Sequence, residues 1–266
     1  MRVLPILLIC LLAGCAAALQ EPPALAELAG DAPQFPPAEV DRLIAEAERL
    51  YAERSLSSVS EAGRVWLSAA RADPDRVEGL LGATRARIWC ATHAELDDER
   101  LDHAVSAVQL AQWCRRKKPD DPECSYWLAL AMGVQAQERK TTAFDALPQI
   151  AELLEQVAAR RPEIDHGGAE RTLALLYLRA PGWPSGPGDA DRGLEYARGA
   201  VGIDPEYPPN QLALAEALRA TEDNAGGREA YRRALALARD RISRGDPDAA
   251  EWVEQAERAL GRRRSN

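Results

Sequence analysis

The chain has 266 residues, 46% of them hydrophobic, enough for a substantial core, which excludes intrinsic disorder as a description of the whole. Its 33 Lys and Arg stand against 42 Asp and Glu, and this net charge of -9 argues against a partner such as nucleic acid, whose phosphates must be neutralised. Aromatic residues make up only 5%, Ala and Leu abound and β-branched runs are rare, so the sequence predicts an all-α protein.

At the N-terminus Arg2 precedes the apolar stretch Val3 to Leu12, which is shorter than the roughly 20 residues that span a bilayer and suits a secretory signal. It ends in Leu12-Ala13-Gly14-Cys15, which resembles the bacterial lipobox, where the Cys thiol is acylated and the chain is cut just before it. Residues 1–14 then form a lipoprotein signal peptide and Cys15 is the lipidation site. Acyl chains, at about 0.8 kcal/mol per buried CH2, would fix the protein to a membrane. The expected location is the periplasmic side of a bacterial membrane. Ala16, where an Asp would argue for inner-membrane retention, favours the outer membrane. An ordinary signal peptide with a chance Cys is the alternative. Residues 15–37, with Pro22, Pro23, Pro33, Pro36 and Pro37, read as a tether, and residues 38–262 as the folded domain.

Export makes Cys90, Cys114 and Cys124 disulfide candidates. If one helix ends near Lys118 and the next starts near Pro122, Cys114 and Cys124 lie at matching depth beside a tight turn, where a bridge forms easily. Cys90 is then a small buried hydrophobe; a bridge through Cys90 is the alternative.

Prolines reveal a repeat. Pro33, Pro74, Pro119, Pro162, Pro205 and Pro247 are 41, 45, 43, 43 and 42 residues apart. Before them stand Ala62, Trp66 and Ala69; Ala104, Val108 and Ala111; Ile150, Leu154 and Val157; Gly193, Ala197 and Ala200. Offsets of four and three keep each set on one helix face, which the Pro terminates. Gly227, Tyr231 and Ala234 form a fifth copy without the equivalent Pro. After the prolines come Trp127, Leu130, Ala131 and Val134; Leu173, Ala174 and Tyr177; Leu214, Ala215 and Leu218, where a small residue lets two helices approach. The pattern resembles the tetratricopeptide repeat (TPR), although the period near 43 exceeds the usual 34 and also suits HEAT or armadillo units. The surplus is expected in the turns, as in residues 181–189. Five hairpins from about Pro37 to Arg244 and a capping helix, Asp248 to Leu260, would stack on one continuous core.

Several first helices have no polar face: Tyr126 to Val134, Leu173 to Leu178, and Gln211 to Leu218 with only Glu216. Such helices are covered on every side, by long segments or a second subunit, or they line an apolar cavity or pore. On repeat geometry the inward residues are Leu128, Met132 and Gln135, then Arg171, Leu175 and Leu178, then Leu212 and Glu216.

The segments Cys124 to Gly133, Asp165 to Arg171, Leu178-Arg179-Ala180-Pro181-Gly182-Trp183-Pro184 and Tyr207 to Glu216 resemble TatT-type lipoproteins. These are the tetratricopeptide components associated with TRAP (tripartite ATP-independent periplasmic) transporters. The resemblance covers roughly residues 40 to 240. It implies self-association, often as trimers, pairing with the transporter's substrate-binding lipoprotein, and an apolar pore for a hydrophobic ligand.

Chemistry is sparse. His93 and His103 flank the acidic run Glu95, Asp97, Asp98 and Glu99 without a recognised metal spacing, which favours a solvated turn. Asp165-His166-Gly167-Gly168 lacks a nucleophile and suits a helix start, with Asp165 as cap and the Gly pair allowing close approach. There is no phosphate or dinucleotide loop, and nothing calls for a cofactor. Trp183 packs onto the repeats or touches a partner; Arg262-Arg263-Arg264 reads as a frayed end. Two non-catalytic readings remain: a ligand-binding or docking lipoprotein of a TRAP-type uptake system, and a TPR scaffold organising envelope proteins without a small ligand.

Overall fold

The computed structural model describes residues 21–139 and 143–261. Cys15, the signal-peptide stretch and Arg262 to Arg264 lie outside the described residues.

Those residues form twelve α-helices and no strand. A short helix, α1 (Leu25–Ala29), leads into five antiparallel hairpins: α2 (Val40–Ala52) with α3 (Leu56–Ala72), α4 (Glu78–His93) with α5 (Asp97–Lys117), α6 (Pro122–Glu138) with α7 (Ala143–Arg160), α8 (Gly168–Arg179) with α9 (Ala190–Ile203), and α10 (Pro208–Ala220) with α11 (Asn224–Ser243). α12 (Ala249–Gly261) closes the stack against α11. From α2 onward each helix packs on the next in sequence, so contacts are local and the core runs the length of the solenoid.

Local chemistry sets the boundaries. Ser55 Oγ accepts from Ser58 N at 3.1 Å to start α3, Asp121 caps α6 with Pro122 at its first position, and Asp189 Oδ1 accepts from the amides of Asp191 and Arg192 to start α9. α5 begins on Asp97-Asp98-Glu99 and ends on Arg115-Arg116-Lys117, each charge beside the opposite end of the helix dipole. The repeated positions are buried as their spacing predicts: Ala62, Trp66 and Ala69 on α3, Ile150, Leu154 and Val157 on α7, and, in the copy without a Pro, Tyr231 and Ala234 on α11.

The longer period has a different origin from the one expected. Only the fourth hairpin stores its surplus in the turn, residues 180–189. Elsewhere the turns are short, 94–96 and 221–223 for example, and the helices themselves are long, 21 residues in α5 and 20 in α11.

The stretch read as a tether is docked from Pro23 onward. α1 and Ala32 join the core beneath α3 and α5, Trp113 Nε1 donates to Pro23 O at 2.8 Å, and Arg71 donates to Ala32 O. Alanines and leucines between the prolines supply enough apolar surface to hold the segment down. Cys114 and Cys124 are bonded across the turn from α5 to α6, with Cα atoms 5.4 Å apart. Cys90 is free and buried, and burial pushes its thiol up to about 11, leaving it a small hydrophobe.

The solenoid curls until its ends meet. Arg54, in the turn before α3, holds Asp248, before α12, through two bonds of 2.6 and 2.8 Å. His93 at the end of α4 stacks on Trp89 and lies 3.7 Å from Glu251 of α12, an ion-pair distance.

Candidate ligand-binding site

The first helices of the hairpins line the concave face. Consecutive pairs pack against each other from α2 to α6 and from α8 to α12, whereas α6 and α8 touch at Tyr126 and Gly168 and stand further apart beyond that contact. The opening between them is a recess of about 480 Å³, within the size range of small-molecule sites. Leu130, Gly133 and Val134 of α6, Ile150 of α7 and Leu175 and Leu176 of α8 form its apolar walls. Arg179, the one charged residue of its lining among the described residues, stands at the end of α8, next to Ala180 and Pro181.

A second, smaller recess of about 150 Å³ shares Leu175 and Arg179 with the first and continues along α8, α10 and α12. Its walls are mixed: Arg171, Leu212, Glu216, Glu251 and Trp252 take part. Glu216 accepts from Arg179 Nε and Nη2 at 2.9 and 2.8 Å, a bidentate pair across the border of the two spaces.

Behind these walls a polar network fixes the angle between the third, fourth and fifth hairpins. Asp165 accepts from the Tyr126 hydroxyl and from Arg171, and Arg171 also donates to Asn210 Oδ1 at 2.9 Å. Asn210 Nδ2 reaches the carbonyls of His166, Ala200 and Asp204 at 2.8 to 3.0 Å. Burial, together with the neighbouring Asp165 carboxylate, holds the Tyr126 hydroxyl well above its ordinary pKa, so it stays protonated and donates. Asp165, His166 and Gly167 adopt positive φ of 50, 57 and 84°, which swings the chain from α7 into α8. A Cβ at Gly168 would collide with the Tyr126 hydroxyl, so the Gly pair does allow close approach. Asp165 is not the helix cap, however: the residue before α8 is Gly167, and the Asp165 side chain is taken by Tyr126 and Arg171.

The expected inward residues divide. Leu175 lines both recesses, while Arg171, Leu212 and Glu216 line the smaller one. Leu128 and Met132 line neither recess; they are 1% and 3% exposed in the core shared with α7 and α8. Gln135 is half-buried and borders neither recess, and Leu178 packs against Gly193 and Ala197 of α9. α6 is thus rotated from the expected setting, and Leu130 and Val134 take the inward places. Arg171, one of the expected inward residues, is occupied by Asp165 and Asn210 and acts as a structural tie. Nothing in the sequence marks Arg179 for the recess, because a basic residue in the last turn of a helix reads as a dipole partner.

Trp183 does not pack on the repeats: it is 90% exposed at the tip of the 180–189 turn. His93 and His103 serve other partners, Glu251 and Arg87. Among the described residues no three His, Cys, Asp or Glu are grouped to hold a metal, and no helix is long and apolar enough to cross a membrane.

No family model matches the chain, and no curated protein matches it. Among solved structures it is similar to TTC0263, a thermophilic TPR protein of Thermus thermophilus, with a TM-score of 0.62 and 16% identity over 82% of this chain and 98% of that one. The MamA RS-1 ArsTM double mutant gives a TM-score of 0.48 and 20% identity over 77% of this chain and 97% of that one. Repeat spacing, hairpin stacking and the first of these similarities agree: the chain is an all-α, TPR-like helical solenoid.

Proposed function

We propose that the protein is a non-catalytic binding lipoprotein, anchored through Cys15 on the periplasmic side of a bacterial membrane, whose concave face takes a hydrophobic or amphipathic ligand for a TRAP-type uptake system. A TPR-like solenoid fits a protein-interaction role in general. The observation that carries the ligand reading is the apolar recess of about 480 Å³ between α6 and α8, lined by Leu130, Val134, Ile150 and Leu175. The lipobox-like residues ending at Cys15 support the anchor, and the segments resembling TatT-type lipoproteins support self-association and a TRAP substrate-binding partner.

The test is binding of a neutral hydrophobic fluorophore to the purified chain, with native mass spectrometry for subunit count and retained ligand. Saturable binding supports the reading. Absence of both probe binding and retained ligand leaves the scaffold reading, which the exposed Trp183 favours, since a projecting aromatic is a natural contact for another protein. Membrane fractionation of Cys15→Ala tests the anchor: the variant is expected in the soluble fraction, and persistence in the salt-washed membrane refutes lipidation as the sole attachment.

A further inference from the structure

We propose that the ligand of the apolar recess is a single-chain amphiphile with a carboxylate head, and that Arg179 holds that head. The proposal rests on the ligand-binding reading above and adds the sign and place of the head. Among the described residues Arg179 is the one charged residue in the lining; every other wall residue is apolar or neutral, and the Glu216 carboxylate at the border with the smaller recess is already held by Arg179. Thr172, another polar lining residue, donates its hydroxyl to Gly168 O and is spent on its own helix. A cationic head would therefore meet the like charge of Arg179 and a carboxylate that Arg179 already engages, whereas an anionic head meets a planar donor.

Arg179 is suited to this in a way that Arg171 is not. Arg171 is enclosed by Asp165 and Asn210, with a side chain only 12% exposed. Arg179 is 53% exposed and bonds Glu216 through Nε and Nη2. Among the described residues its Nη1 has no partner. The outer edge of the guanidinium thus remains open to a second carboxylate, which it can meet in the same forked geometry. A tail running from that edge along Leu175 and Leu176 toward Leu130 and Val134 stays on apolar surface throughout.

The test uses the full-length chain carrying Cys15→Ala, so that no anchor competes with added amphiphile. Dodecanol, dodecanoate and dodecyltrimethylammonium are each titrated, below their micelle concentrations, against a bound neutral fluorophore. The expected result is that dodecanol binds and that dodecanoate binds roughly fivefold or more tighter than the ammonium. Arg179→Gln should erase that preference and leave dodecanol unchanged. Glu216→Gln, which removes the competing carboxylate without touching Arg179, should tighten dodecanoate alone and gives the answer even if Arg179→Gln folds poorly. Equal binding of the two ions, preference for the ammonium, a preference surviving Arg179→Gln, or no gain in Glu216→Gln overturns the assignment of the head. Failure of dodecanol itself overturns the underlying ligand reading instead.

Discussion

Single residues in this fold are constrained where two helices touch without room for a Cβ. Gly82 of α4 lies on the Trp66 indole, and Trp66 is 1% exposed with no space to retreat. Gly82→Ala should therefore overpack the first two hairpins and cost about 1–3 kcal/mol, readable as a lower urea midpoint at unchanged slope. Asp165 shows the opposite failure, loss of a partner. Asp165→Ala leaves a buried Tyr126 hydroxyl without its acceptor and the Arg171 guanidinium without its counter-charge, for which about 3 kcal/mol or more is expected. Tyr126→Phe removes one donor and leaves the Arg171 pair intact, so a loss nearer 1–2 kcal/mol should follow. Equal stability of the two variants would show that the network is not what sets the angle of α8.

Among the elements, α6 shows what its sequence can and cannot specify. Its existence, start and partners are legible: Asp121 and Pro122 punctuate it, and Cys124 fixes its first turn to α5. Its rotation is not, because Tyr126 to Val134 has no polar stripe to mark an outer face, and two settings differ only in which apolar residues meet α7. Where a helix carries charge the inward face was legible, as with Arg171 on α8 and Glu216 on α10. The recess itself was not, since it arises from α6 and α8 standing apart, a spacing that no residue encodes locally. The rotation is testable. Met132→Gln should cost roughly 2–5 kcal/mol, because an amide enters sealed core, whereas Val134→Gln should melt close to the parent and weaken the hydrophobic probe. The opposite pattern would restore Met132 to the cavity wall. Reducing the Cys114–Cys124 bridge, which closes a separation of 10 residues, should lower stability by about 2–3 kcal/mol, measured by melting with and without reductant.

For the whole molecule, the contact between its ends decides whether the concave face is a groove or a nearly closed ring. α12 serves both purposes: Glu251 and Trp252 line the smaller recess, and Glu251 also faces His93 of α4. Glu251 raises the His93 pKa above its usual 6.5 against the cost of burial, with a smaller contribution from Asp248, and His93 in turn lowers Glu251 below its usual 4.5, aided by Arg258. Raised His93 contributes stability that is complete below 6.5 and lost as pH rises through its folded value. Depressed Glu251 contributes stability that is complete above 4.5 and lost as pH falls through its folded value. The pair therefore acts fully between these two ordinary values and fades on both sides. Glu251 is 62% exposed, so the contribution should not exceed about 1 kcal/mol, or about 2–4 °C in a chain of this size. The Arg54–Asp248 pair ties the same two ends together without involving His93. Comparing the melting temperature of the parent with that of Glu251→Gln from about pH 4 to 9 should give a difference that peaks near pH 5.5 and vanishes at the alkaline end. A difference independent of pH would mean that Glu251 stabilises α12 by packing alone and that His93 takes no part in closing the ring.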